Sequence, residues 1–306
     1  MKYKCFKLEF KTAVHLGNGS LSDSEYTIFA DTLFSALCTE AVKCGGQELV
    51  SQFYNYVKSG ELLISDCLPY LNDIFYIPKP CCNVDYPESV SFSDRKIYRN
   101  LNYIPANCLS DFMKGKCNVT KLQNILSLGK SEIRTNIHTI PGQPSMLYEV
   151  GTFRFNAGNG LYFIVGYENE EAYNLLFYLM DTLAYQGIGG RLSQGLGKFN
   201  FFEDEINDDI RKLLSQKTGK YMSLSICMAK KDELPTIING STYQLIKRSG
   251  FVASETYSEQ LLKKNDFYSF SAGSCFQSKF SGDIFDVSAY GNHPVYRYAV
   301  PFFVEV

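Results

Sequence analysis

Five glycines fall within eleven residues of this chain, in Gly187-Ile-Gly-Gly-Arg-Leu-Ser-Gln-Gly-Leu-Gly197, and Lys198 follows. Residues 170–186 before it carry a helical stripe: Leu175, Leu179 and Leu183 on one line, Leu176 and Met180 beside it. Lys198 to Glu203 after it reads as a strand. A backbone this bare between a helix and a strand suits two uses. It can form a long helix cap and turn that lets chains pack closely, or it can contact a phosphate chain through loop amides with Arg191, Ser193 and Lys198. It is not a Walker A loop, because Leu196-Gly197 stands where Lys-Ser/Thr is required. It is not a dinucleotide fingerprint either, because no G-x-G-x-x-G register fits and the helix comes before the loop. A helix C-terminus disfavours an anion, so any phosphate grip must come from the loop amides and the cations.

The rest of the chain predicts an α+β architecture. Phe6, Leu8 and Phe10 alternate with Lys7, Glu9 and Lys11, a half-buried strand over 5–14. Asp31 is expected to cap a helix whose stripe includes Leu33, Leu37 and Ala41, with Gly45-Gly46 as its stop. Leu62 to Leu68 and Asp73 to Pro78 read as strands, so this part opens like a βαββαβ unit. Residues 81–147 break the pattern, with one helix-like run, Val119 to Leu128. From Lys79 to this segment's end there are nine cations against five anions, which predicts a basic, partly mobile insertion. Tyr148–Phe155 and Leu161–Tyr167 are expected to form a hairpin around Asn156-Ala-Gly-Asn-Gly160. Beyond 204–219, strands are expected at Tyr221–Ala229, Tyr243–Lys247, Asp266–Ser271 and Val295–Val306. The domains are therefore 1–205, with the insertion at about 81–147 and the glycine loop at 187–197, and 206–306.

Bulk chemistry narrows the function classes. A net charge of −2 excludes a protein coated in basic charge but allows a local basic groove. Lys2, Lys4, Lys7, Glu9 and Lys11 interrupt any secretory signal, and no run reaches the roughly 18 apolar residues of a membrane span. A cytoplasmic location is expected. The ten cysteines include no C-x-x-C, so free thiols are expected and neither a metal nor a cofactor. His15, followed by Gly17 and Gly19, suits a general base for RNA cleavage, an RNA contact, or a core histidine. Asp31 suits a cap better than a metal-binding carboxylate. Lys247-Arg248 is a second cationic clamp or a solvated strand end.

The order of several segments carries a resemblance. They are His15 to Gly19, Ala30-Asp-Thr-Leu-Phe-Ser-Ala-Leu37, Ile77-Pro-Lys-Pro80, the glycine loop, Leu245 to Phe251, Phe270 to Ser274, Gly282 to Asp286 and His293-Pro-Val-Tyr-Arg297. Together they resemble the repeat-associated (RAMP) proteins of CRISPR systems. The closest likeness is to the type III-A (Csm) effector subunit that holds the 5′ handle of the guide RNA. The resemblance implies two ferredoxin-like (RRM-like) domains, the second degenerate, with a thumb-like insertion in the first. It implies a non-catalytic subunit in antiviral defence that anchors the crRNA 5′ tag. It also implies contacts with the large polymerase-like subunit, with a neighbouring RAMP backbone subunit, and with target RNA in the assembled complex. Carried over residue by residue, the RNA contacts would be His15, Gly17, Gly189, Gly190, Arg191, Ser193, Gly195, Gly197, Lys198, Lys247 and Arg248. The alternative is a metal-independent RAMP endoribonuclease that uses His15 to process CRISPR repeat RNA. A third reading, a target-cleaving backbone subunit, requires Asp31 in a loop.

Overall fold

The computed structural model describes residues 1–306 except Asn18, Ser89, Glu255, Thr256, Glu259 and Leu261. Asn18 belongs to the His15–Gly19 segment and so lies outside the described residues. The alternation at the N-terminus forms β1 (Lys2–Phe10), which buries Phe6 and Leu8 while Lys7 meets Asp204 at 2.7 Å. Next come α1 (Ala30–Lys58), β2 (Leu62–Ile64), β3 (Leu68–Leu71) and β4 (Ile74–Pro78). The insertion supplies α2 (Phe92–Asn100), β5 (Tyr103–Pro105), α3 (Leu109–Met113) and α4 (Val119–Gln123), then β6 (Gly129–His138) and β7 (Met146–Phe155). The first half closes with β8 (Asn159–Tyr167), α5 (Glu170–Gln186) and β9 (Phe199–Asp204). One antiparallel sheet runs β5-β4-β3-β8-β1-β9, with β2 also paired to β8.

All nine residues of β8 are buried, because both faces of the sheet are covered. On one face Phe6, Leu8 and Phe163 pack with Leu33, Phe34 and Leu37 of α1 and Leu176, Leu179 and Leu183 of α5. On the other face Cys5, Tyr162 and Ile164 pack with Ile104 and Phe112 of the insertion and with Met222 and Val304.

Three local expectations are corrected. The cap of α1 is Phe29 rather than Asp31, and the first helical N–H, that of Ala30, is satisfied by Asp66 Oδ1 at 2.7 Å. Asp31 sits inside the first turn, where its carboxylate serves two arginines instead. Gly45-Gly46 interrupts the helix without ending it: Gly46 takes φ +65° and the chain resumes helix, because Val50, Phe53 and Val57 form a second buried stripe. Finally, β7 pairs with β6 along all ten residues and not with β8, so the hairpin turn lies at 139–145. The sequence hid this partner because its apolar residues face out: Ile133 and Ile137 are 63% and 65% exposed. The insertion also holds more regular structure than its one predicted helical run, built around Tyr98, Phe112 and Leu122. By contrast α5 spans the predicted 170–186, capped by Asn169, which accepts from Glu171 N–H at 2.9 Å.

Residues 206–306 contain α6 (Asp208–Ser215), β10 (Tyr221–Ser223), α7 (Leu234–Ile238), β11 (Leu245–Arg248) and β12 (Phe267–Phe270). They continue with β13 (Cys275–Phe276), β14 (Asp283–Asp286), β15 (Tyr296–Ala299) and β16 (Phe303–Glu305). These pair as β13-β10-β16, β11-β12 and β14-β15, in strands shorter than the sequence predicts. The half leans on the first: Ile284, Tyr298 and Val300 enter the helix-side core, and Tyr298 Oη donates to the Ile64 carbonyl at 3.0 Å. All ten cysteines are free.

Candidate nucleic-acid interface

The glycine loop is welded to the segment after β1. Gly197 N–H donates to the Ala13 carbonyl at 2.9 Å, Gly190 N–H to the His15 carbonyl at 2.8 Å, and Lys198 N–H to Thr12 Oγ1 at 3.0 Å. Ile188 N–H closes the loop on Gly197 at 3.0 Å. Four of the glycines hold left-handed φ values: +93° at Gly187, +100° at Gly189, +77° at Gly195 and +73° at Gly197. A Cβ on Gly189 would sit 2.6 Å from the His15 carbonyl oxygen, one on Gly190 2.8 Å from the His15 ring, and one on Gly197 would collide with the Ile188 carbonyl. The glycine count therefore follows from backbone geometry and close approach. It also spends the amides of Gly190 and Gly197, which are not free for a phosphate.

His15 is buried, with Nδ1 2.6 Å from the Gly151 carbonyl. A carbonyl only accepts, so Nδ1 carries the hydrogen and Nε2 faces the other way, toward Gly17. Arg191, at φ +60°, lays its guanidinium over the Tyr148 ring at 5.4 Å, while Ser193 and Lys198 are exposed.

A groove of about 620 Å³ unites part of the predicted set. Its lining includes His15, Gly17, Gly189, Gly190 and Arg248. Arg191, Ser193, Gly195, Gly197 and Lys198 lie outside that lining. Strand alternation also separates Lys247 from Arg248: Lys247 pairs with Asp266 at 2.7 Å.

The opposite wall is built on Asp31. Arg248 grips it in a fork, Nε to Oδ2 and Nη2 to Oδ1, both at 3.0 Å, and stacks on Phe29 at 4.3 Å. Arg297 Nη1 donates to the same carboxylate. Burial alone would raise the Asp31 pKa, but Arg248 and Arg297 outweigh it and hold it below the ordinary value. The place of Asp31 inside α1 does not meet the target-cleaving reading, which requires Asp31 in a loop. Burial pushes neighbouring Asp66 up to about 7, against hydrogen bonds from Ala30 N–H and Ile226 N–H.

Two residues of this wall were not among the predicted RNA contacts. Arg297 is 5% exposed and lines the groove, and its Nε and Nη2 have no partner among the described residues. Leaving buried donors unsatisfied costs on the order of 1–3 kcal/mol. Lys264 also lines the groove, its pKa lowered by burial and by repulsion from Arg297 and Arg248. Arg297 entered the sequence reading only as the end of His293-Pro-Val-Tyr-Arg297, with no role attached. Its partner Asp31 is 266 residues away, a pairing no local pattern reveals.

The sequence resemblance to a RAMP-type subunit of a CRISPR system is borne out by comparison with known proteins. The chain belongs to the Csm4 family, whose proteins are part of the type III-A CRISPR Csm complexes. It is 34% identical to the CRISPR system Cms protein Csm4 of Mycobacterium tuberculosis, covering 100% of this chain and 98% of the relative. It is 30% identical to that of Streptococcus thermophilus, covering 100% and 99%. The profile described as the CRISPR Csm4 C-terminal domain matches residues 216–306. Among solved structures, a chain of the Csm3–Csm4 subcomplex of a type III-A interference complex has the same fold, with a TM-score of 0.70 at 17% identity, covering 99% of each chain. A Csm1–Csm4 cassette with AMPPNP gives 0.61 at 16%, covering 99% of this chain and 97% of that one. No helix among the described residues is long and apolar enough to cross a membrane.

Proposed function

We propose that this chain is a non-catalytic guide-RNA subunit of a Csm effector, which holds the 5′ tag of the crRNA and joins the large subunit to the backbone. The groove carries the reading: His15, Gly17 and the glycine loop form one wall, and a cationic cluster forms the other. The strand order β9-β1-β8-β3, with α1 and α5 on one face, supports a ferredoxin-like unit in the first half. The solved Csm4 chains were captured with Csm3 and with Csm1, which supports the same two neighbours here. The β6–β7 hairpin supports the thumb role. It presents Ile133, Ile137, Met146 and Leu147 to solvent beside Lys130 and Arg134, an apolar wedge with cations suited to a guide–target duplex. The test is binding of tag RNA by Arg191→Ala and Lys198→Ala across a salt series, with assembly followed by co-purification of the neighbouring subunits. Unchanged affinity and assembly in both variants would remove the loop from the interface.

One observation favours the endoribonuclease alternative. With Nδ1 pinned as donor, His15 presents Nε2 as a base beside Gly17. Repeat RNA incubated with the protein in EDTA decides: intact RNA supports the scaffold, and cleavage lost in His15→Ala supports the enzyme.

A further inference from the structure

The cationic wall holds more charge than the fold uses. Arg248 and Arg297 share Asp31, and Lys264 lines the same groove. Lys264 has no hydrogen bond or ion pair for its ammonium among the described residues, yet it lines the same groove as both arginines and feels their charge. Arg297 keeps two buried N–H groups without acceptors. The groove carboxylate Glu40 is engaged by Lys43 at 2.6 Å. A fold gains nothing by crowding an unpaired lysine beside two arginines, unless an anion completes the set.

We propose that the end of the groove bounded by Arg248, Lys264 and Arg297 is a seat for one phosphate group of a single-stranded RNA, with Lys264 as its direct contact. The proposal rests on the RNA-binding reading above and names the phosphate seat within it. Arg248 is here a positioning residue, because its fork is filled by Asp31 and Thr32. Arg297 supplies field from beneath the groove surface. A phosphodiester suits the place better than a carboxylate, since it offers several acceptor oxygens to cations that approach from different elements.

The test compares wild type with Lys264→Gln, using two probes: a short single-stranded RNA across a salt series, and inorganic pyrophosphate read by thermal shift. Lys264→Gln should weaken RNA binding about tenfold and lower the magnitude of the salt slope by about one. It should also abolish the shift given by pyrophosphate. Unchanged RNA slope and unchanged pyrophosphate shift would overturn the seat. If Lys264→Gln is silent while Arg191→Ala weakens RNA, the seat falls and the RNA-binding reading stands. If wild type binds no RNA but pyrophosphate still stabilises it through Lys264, the seat stands and that reading falls.

Discussion

The two walls of the groove are built on opposite terms. The glycine-loop wall satisfies itself: its amides donate to Ala13 and His15, and its glycines sit at φ values or close approaches that other residues resist. The cationic wall does not: it leaves two donors of Arg297 and the ammonium of Lys264 unanswered. The conspicuous sequence motif thus owes its glycines to backbone geometry, while the quieter cationic wall keeps donors without acceptors. A glycine run reports where backbones must touch. A buried donor without an acceptor reports where something else must arrive.

Four experiments bear on this contrast, in falling order of effect. Asp31→Ala strips the carboxylate from one buried and one half-buried guanidinium and should cost about 3–5 kcal/mol in denaturant unfolding. A loss below about 1 kcal/mol would mean the arginines relax into solvent and that wall is not preloaded. Gly197→Ala forces a Cβ onto the Ile188 carbonyl at φ +73°, and should cost about 2–4 kcal/mol while the RNA affinity of the folded fraction stays near wild type. Strong loss of RNA binding without loss of stability would make that wall a ligand surface after all.

The third experiment uses pH. The folded pKa of Asp66 is raised to about 7 from 3.8, so its contribution is complete below about 4 and disappears as pH rises through about 7. Wild type should therefore lose stability relative to Asp66→Asn between pH 4 and 7, by up to about 1.4 kcal/mol per unit. Parallel stability curves for the two proteins would sink this. Asp31 works in the opposite sense: its lowered pKa stabilises above the unfolded value and is lost only as pH falls through the folded one. The smallest effect is expected at Lys247, which already pairs with Asp266 on the far side of its strand. Lys247→Gln should leave the salt dependence of RNA binding unaltered, and a slope reduced by one would return it to the interface.

Legibility in the sequence followed the range of the interactions. β1 and α5 were readable because alternation and a helical stripe are local, and Asn169 at the cap of α5 is local as well. The β6–β7 hairpin was misread because β6 exposes isoleucines, so the alternation that marks a half-buried strand was inverted. Asp31 was misassigned because its position before a stripe fits a cap, while its true partners lie 217 and 266 residues away. His15, Gly17, Gly189, Gly190 and Arg248 do meet at one groove, but Lys264 becomes notable only when three elements bring charge together.

Tyr298 bears on how the chain comes into being. It fills the helix-side core and bonds Ile64 across 234 residues. During synthesis the first half therefore emerges with a core that is not filled until β15 leaves the ribosome. Contacts of such long sequence separation are slow to form and leave apolar surface open meanwhile. Until then the nascent chain stays in that unsealed state.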